Sequence, residues 1–80
     1  MERFAVTAVD YGETCDGKAR VLFFGKTHEE AKSFVDEDIK SWADQRAGEN
    51  IEVDFENMNA FYRENSSAGC EWNIERVVID

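Results

Sequence analysis

The chain has 80 residues and no proline, with 18 acidic residues against 9 basic ones and a formal net charge of −9 at pH 7. Its length predicts a single domain, spanning residues 1–80, with a thin core to which the aromatic side chains contribute much of the apolar area. The acidity argues against direct binding to nucleic acids or anionic membranes, because both require clusters of lysine and arginine.

The first third of the chain predicts a β-hairpin. Residues 3–11 alternate in character, with Phe4, Val6 and Ala8 on one side of the strand. Residues 12–17, GETCDG, are rich in turn formers, and residues 18–25, KARVLFFG, are β-branched and aromatic.

The second strand of this hairpin is apolar on both faces. Strict alternation places Leu22 and Phe24 on one side and Val21 and Phe23 on the other. Such a strand is either central in its sheet or covered on its second face by another chain. One helix can cover only one face, so we expect Leu22 and Phe24 to form an oligomer interface.

Residues 27–48, THEEAKSFVDEDIKSWADQRAG, predict one amphipathic helix over about residues 27–47. Thr27 and Glu30 have the spacing of a capping box, and Gly48 follows the predicted C-terminus. The apolar side chains share one half of the cylinder: Ala31, Phe34, Val35, Ile39, Trp42 and Ala43. Asp38 falls inside this arc, either as an edge carboxylate that reaches water or a nearby donor, or as a buried reactive acid.

Two further strands follow the helix. Residues 50–56 and 70–79 each alternate apolar and polar side chains, and residues 65–69, NSSAG, predict a loop. Residues 57–64 fit either a short helix or an extension of the strand, and the asparagines there favour strand and loop. The predicted fold is therefore α+β, a two-layer sandwich of about four antiparallel strands in the order β-β-α-β-β with one helix on one face.

Acidic residues recur on one side of the last two predicted strands. If the two strands pair, their apolar sides face the helix and their outward sides carry five carboxylates: Glu52, Asp54, Glu56, Glu71 and Glu75. Like charges on neighbouring strands destabilise a sheet, so the pattern is either a solvated surface or an array that binds a basic protein. Arg63 and Arg76 are expected to neutralise part of it.

No catalytic or metal-binding motif accompanies this surface. The single histidine, His28, opens the helix without a nucleophile at a motif spacing, and Asp36 does not begin an EF-hand loop. Cys15 and Cys70 lie in no zinc or CxxC spacing and are expected to remain reduced thiols. No enzyme activity, cofactor or metal is therefore predicted; an enzyme using Asp38 or a cysteine is the remaining alternative.

The size, acidity and ββαββ order resemble compact proteins of phages and mobile elements, some of which inhibit host nucleic-acid enzymes such as CRISPR effectors. The resemblance covers architecture and charge and no motif. It implies a non-enzymatic interaction domain that mimics nucleic acid and inhibits a basic, nucleic-acid-binding protein. A homo-oligomeric accessory domain is the alternative. The N-terminus lacks the apolar run of a signal peptide, so a cytoplasmic location is expected.

Overall fold

A computed structural model describes residues 1–12 and 19–78, which form one antiparallel sheet and one helix. The elements follow in the order β1 (Glu2–Tyr11), β2 (Ala19–Gly25), α1 (His28–Asp44), β3 (Ile51–Asp54), β4 (Asn59–Tyr62) and β5 (Asn65–Val78). The strands lie side by side in the order β2-β1-β5-β4-β3. The predicted α+β class is confirmed, and the sheet has five strands rather than about four.

Helix α1 begins as its capping signal predicts. The Thr27 hydroxyl accepts a hydrogen bond from the Glu30 backbone N–H at 3.1 Å. The helix ends at Asp44, earlier than predicted, and residues 45–48 continue as a turn that leads to Gly48 at φ +92°. Arg46 lies in this turn, where its guanidinium donates to the Trp42 carbonyl at 3.0 Å and satisfies part of the helix C-terminus.

The additional strand comes from the segment that fitted either helix or strand. Residues 55–58 form a turn, and β4 pairs with β3 so that Asp54 lies opposite Asn59. Met58 adopts φ 56°, a left-handed conformation that closes the turn. Lys32 of α1 donates to the Phe55 carbonyl at 2.7 Å and ties the turn to the helix.

Strand β5 is longer than its alternating pattern predicts. Residues 65–69, predicted as a loop, form its first part, and the register with β4 shifts between Phe61 and Tyr62. Gly69 lies in this segment because a Cβ there would overlap the Ala60 carbonyl oxygen and come within 2.8 Å of the Phe61 Cα. The polar composition that indicated a loop instead accompanies an irregular strand.

A bulge changes the faces of the first hairpin. The register of β1 and β2 shifts between Val6 and Thr7, so that Val6 pairs with Phe23 and Thr7 with Val21. Leu22 therefore falls outside the alternating pattern and packs against the core together with Phe23. The prediction that Leu22 points away from the helix is wrong.

The core lies between α1 and one face of the sheet. Its buried members come from the helix and three of the strands: Val6, Ala8, Ala31, Val35, Ile39, Trp42, Ala60, Cys70 and Trp72. Phe23 stacks on Phe34 of the helix with ring centroids 4.6 Å apart. One face of the sheet is thereby sealed, and the other has no covering element among residues 1–12 and 19–78.

Within the described ranges, no helix combines the length and hydropathy that crossing a bilayer requires. The predicted turn at residues 13–17, the expectation for Cys15 and the apolar residue Ile79 lie outside the described residues.

Candidate functional site

The side of the sheet that faces away from α1 is the candidate site, here called the open face. Strand alternation and the observed registers place its side chains on one surface. They are Arg3, Ala5, Thr7, Val9, Tyr11, Ala19, Val21, Phe24, Glu52, Asp54, Asn59, Phe61, Glu71, Asn73, Glu75 and Val77. Apolar side chains occupy most of β2 and β1, and carboxylates project from β5 and β3, so the open face has an apolar half and an acidic half.

Four of the five predicted acidic residues lie on the acidic half. Glu52 and Asp54 project from β3, and Glu71 and Glu75 project from β5. Glu52, Glu71 and Glu75 are exposed, whereas Asp54 is half-buried. Glu56 lies in the turn between β3 and β4 and not on a strand, because the alternating pattern ends at Asp54.

The two acidic strands are not neighbours, contrary to the predicted pairing. Strand β4 lies between them, so that Asn59 separates Asp54 from Glu71 and Phe61 lies opposite Glu52. At the usual strand spacing, Asp54 and Glu71 are roughly 10 Å apart. The expected repulsion between carboxylates on adjacent strands is therefore avoided, while the charges remain fixed on one surface.

One basic side chain forms an ion pair with these carboxylates, and Arg3 of β1 also lies on the open face, diagonal to Glu75. The Arg63 guanidinium approaches the Glu52 carboxylate at 3.9 Å, a weak exposed pair. Arg76, the other predicted neutralising residue, instead pairs with Glu2 at 2.7 Å, and the register places both on the helix side of the sheet. In the described part of the chain, no basic side chain forms an ion pair with Glu71 or Glu75.

Asp54 also has a local structural role. Its carboxylate accepts hydrogen bonds from the Asn57 backbone N–H at 3.0 Å and from the Asn57 side-chain amide at 2.7 Å. These bonds favour the charged form and hold the pKa of Asp54 below its ordinary value. Asp54 is thus the acid of this surface whose replacement disturbs the fold as well as the charge.

A polar concavity adjoins the acidic half. Its volume is about 320 Å³, and its walls come from β1, β4, β5 and the β3–β4 turn. Amide and hydroxyl groups line it beside Glu71: Thr7, Asn57, Asn59 and Asn73. From the sequence, Asn57 and Asn59 were unfavourable to a helix and favoured strand and loop, and Asn73 was an interruption of the acidic pattern. The available signal was their alternation with apolar residues in both β4 and β5.

The apolar half differs from the predicted interface. Phe24 is 54% exposed, as predicted, but its exposed neighbour is Val21 at 59% rather than Leu22. Between the two halves, Tyr11 lies opposite Gly69, close enough that its hydroxyl would contact a Cβ at that position. Partial burial and the nearby Glu71 carboxylate raise the pKa of Tyr11.

The residues considered for catalysis lie on the helix side of the sheet. Asp38 accepts a hydrogen bond from the Trp72 indole N–H at 2.8 Å, which explains an acid within the apolar arc of α1. Cys70 is buried, and desolvation together with Asp10 raises the pKa of its thiol to about 12, so the thiol stays protonated and is a poor nucleophile at neutral pH. His28 packs edge-on against Phe4.

A second concavity, of about 330 Å³, opens near Asp38. It is lined by residues that already have internal partners, including Arg20, which pairs with Asp10 at 2.8 Å, and Arg46, which donates to the Tyr62 hydroxyl at 2.9 Å. Within the described ranges, no three histidine, cysteine or acidic side chains converge as a metal site would require. The acidic half of the open face differs from this concavity, because Glu71 and Glu75 form no ion pair within the described ranges.

No family model matches the chain, and comparisons with curated proteins and with solved structures find no similar protein.

Proposed function

We propose that the chain is a small, non-enzymatic interaction domain whose open face binds a basic surface of another protein. The observation that carries this proposal is the position of Glu52, Glu71 and Glu75 on one exposed sheet face, with a single weak arginine ion pair among them. A rigid sheet holds these charges without the entropy loss that flexible side-chain arrays or disordered acidic tails would require on binding.

The class of partner follows from the spacing and the charge. Glu71 and Glu75 are four positions apart on one strand, roughly 13 Å, and Asp54 lies roughly 10 Å from Glu71 across the sheet. A lysine- or arginine-rich groove that normally holds a nucleic-acid backbone presents cations over comparable distances. The proposed biological form is an inhibitor that competes with nucleic acid for such a groove, in the cytoplasm of a cell that carries a phage or mobile element.

Displacement of DNA from a basic protein tests the proposal. Protamine, an arginine-rich protein, is bound to a labelled DNA duplex, and fluorescence anisotropy follows release of the duplex as the chain is added. The triple variant Glu52→Gln, Glu71→Gln, Glu75→Gln should displace the duplex at least tenfold less effectively than the wild type.

A matched control separates this face from total charge. The variant Glu37→Gln, Asp44→Asn, Glu49→Gln removes the same three charges from exposed positions of the helix and the turn that follows it. We expect it to retain most of the displacement activity, and we expect displacement by both the wild type and this control to weaken as salt is added. Equal loss in the two variants, or displacement that is indifferent to salt, contradicts the proposal.

A second candidate is a homo-oligomer that associates through the apolar half of the open face. The exposure of Val21 and Phe24 on one hairpin favours it, and Leu22 is no longer part of that interface because it packs against the core. Sedimentation velocity over a range of concentrations measures the oligomeric state and tests this candidate. A concentration-dependent dimer that Phe24→Ser dissociates supports this candidate, and a monomer at high concentration removes it.

A further inference from the structure

Strand β5 is paired on both sides for only part of its length. On one side it pairs with the whole of β1, from Tyr11 opposite Gly69 to Glu2 opposite Val78. On the other side it pairs with β4, and this ladder ends at the bond from the Trp72 backbone N–H to the Met58 carbonyl, 2.8 Å long. Residues 73–78 therefore form an interior edge, beside the β3–β4 turn.

The backbone groups at this edge can be assigned individually. In an antiparallel ladder, the N–H and C=O of one residue point to the same neighbour, and successive residues alternate. Because Trp72 bonds to Met58, the groups of Ile74, Arg76 and Val78 point in the same direction, away from β1. No backbone or side-chain partner in the described ranges reaches these three residues on that side.

The side chains leave the edge accessible. Arg76 is exposed, and its guanidinium is drawn toward β1 by its ion pair with Glu2 at 2.7 Å. Val78 is 65% exposed and Ile74 is half-buried. A row of three unpaired N–H and three unpaired C=O groups on an accessible edge is a template for an additional strand.

We propose that the interior edge of β5 at Ile74, Arg76 and Val78 binds an extended segment of a basic partner protein by strand addition. The proposal deepens the proposed function and rests on it for the basic character of the partner. An added strand would continue the sheet beyond the β3–β4 turn and would place alternate side chains on the open face, next to Glu75.

The register defines the side chains that such a segment should carry. Residues paired with one another project from the same face of a sheet, so the partner residue opposite Glu75 lies on the open face and should be lysine or arginine. Residues opposite Ile74 and Val78 lie on the helix side and should be apolar. The edge therefore selects a short stretch in which basic and apolar residues alternate.

A second copy of this chain is a poorer occupant. Each copy carries a net charge of −9, which opposes association. A two-fold pairing centred on Arg76 would also place the two Arg76 residues directly opposite each other, and like charges in that position are destabilising. Charge complementarity thus favours a basic strand from a different protein.

Amide hydrogen exchange of the full chain tests the edge directly. The probe is a short peptide with blocked ends that alternates valine and lysine, and the control is a peptide of equal charge in which proline replaces each valine. With the first peptide at about ten times its dissociation constant, exchange should slow about tenfold at the amides of Ile74, Arg76 and Val78. The control peptide, which cannot pair as a strand, should leave these amides unchanged.

Two variants complete the test. Arg76→Pro removes an outward N–H while retaining the bonds to β1, and Arg76→Ala removes the side chain alone. We expect the alternating peptide to bind Arg76→Ala as it binds the wild type, and to bind Arg76→Pro at least tenfold more weakly. If Arg76→Pro does not fold, the hydrogen-exchange pattern of the wild type with bound peptide still tests the proposal.

The outcomes distinguish this proposal from the proposed function. Binding that depends on Glu71 and Glu75 but protects none of the three amides overturns strand addition and leaves the electrostatic proposal standing. Protection at the three amides that survives Glu52→Gln, Glu71→Gln, Glu75→Gln supports the edge and contradicts the electrostatic proposal. Protection of β2 amides instead would place the added strand on the outer edge and overturn the assignment to β5.

Discussion

The two faces of the sheet differ in how many of their apolar and charged side chains have partners within the chain. On the helix side, Val6, Val35 and Ile39 are fully buried, and Asp38, an acid within the apolar arc, accepts a hydrogen bond from Trp72. On the open face, Val21 and Phe24 remain more than half exposed, and most of the acids lack basic partners. The helix side contributes most of the packing that stabilises the fold. The open face retains exposed apolar and charged side chains that are available to bind a partner.

This difference separates fold from function within a small domain. Because the helix covers a single face, the chain concentrates its core packing there and leaves the other face free to vary in composition. The open face still contributes to folding, at Ala5, which is buried, and at Gly69 and Asp54. Substitutions on each face measure how far stability depends on the helix side and binding on the open face.

The largest expected effect comes from the helix side. Ile39→Ala removes a fully buried side chain between α1 and the sheet and should cost about 2–5 kcal/mol of the free energy of unfolding. Phe24→Ala removes a larger side chain from the open face, and we expect a cost of about 1 kcal/mol or less, since more than half of that side chain is already in water. Urea denaturation measures both, and similar costs would mean that the open face is part of the core.

A smaller effect is expected at Gly69, where the open face is close-packed. Gly69→Ala places a Cβ against the Ala60 carbonyl and the Tyr11 hydroxyl and should cost about 1–3 kcal/mol, because the backbone of two strands must shift. Gly48→Ala is the matched substitution in open space, where only the φ of +92° opposes alanine, at a cost of about 1 kcal/mol. Thermal unfolding that ranks Gly48→Ala as the more harmful would refute the close packing at β4.

The smallest effect depends on pH and concerns Asp54. The Asn57 hydrogen bonds lower its pKa from the ordinary value of 3.8, so their stabilising contribution is present above that value and is lost as the pH falls through the lower folded pKa. Asp54→Asn should therefore destabilise the chain at neutral pH, and the difference from the wild type should shrink in acid. Urea midpoints at neutral and acidic pH measure this, with Glu52→Gln as the control that leaves the turn intact. A difference that is constant with pH would contradict the role of the carboxylate.

The parts of the fold that were predictable are those encoded locally. The cap at Thr27, the apolar face of α1 and the alternation in β1, β3 and β5 each depend on residues that are close in sequence. Strand β4 was harder to predict, because it has only four residues and its sequence fits a helix as well as a strand. The turn before it contains Met58 at φ 56°. A non-glycine residue in the left-handed region gives no sequence signal.

The candidate site was predictable in composition but not in arrangement. Alternation correctly placed Glu52, Asp54, Glu71 and Glu75 on one face, yet it could not show that β4 separates the two acidic strands, because strand order depends on long-range pairing. The bulge between Val6 and Thr7 likewise turned Leu22 toward the core. A shift of one residue exchanges the two faces of a strand, and no local pattern reports it.

A titration followed residue by residue is the most direct test of whether the open face binds basic partners. Backbone amide chemical shifts of the full chain are recorded as a lysine-rich peptide with blocked ends is added at low salt. We expect the largest shifts at Glu52, Glu71, Glu75 and the asparagines between them, with little change at the exposed acids of the helix, such as Glu37 and Asp44. Shifts spread over both sets of acids in proportion to their charge would contradict this expectation.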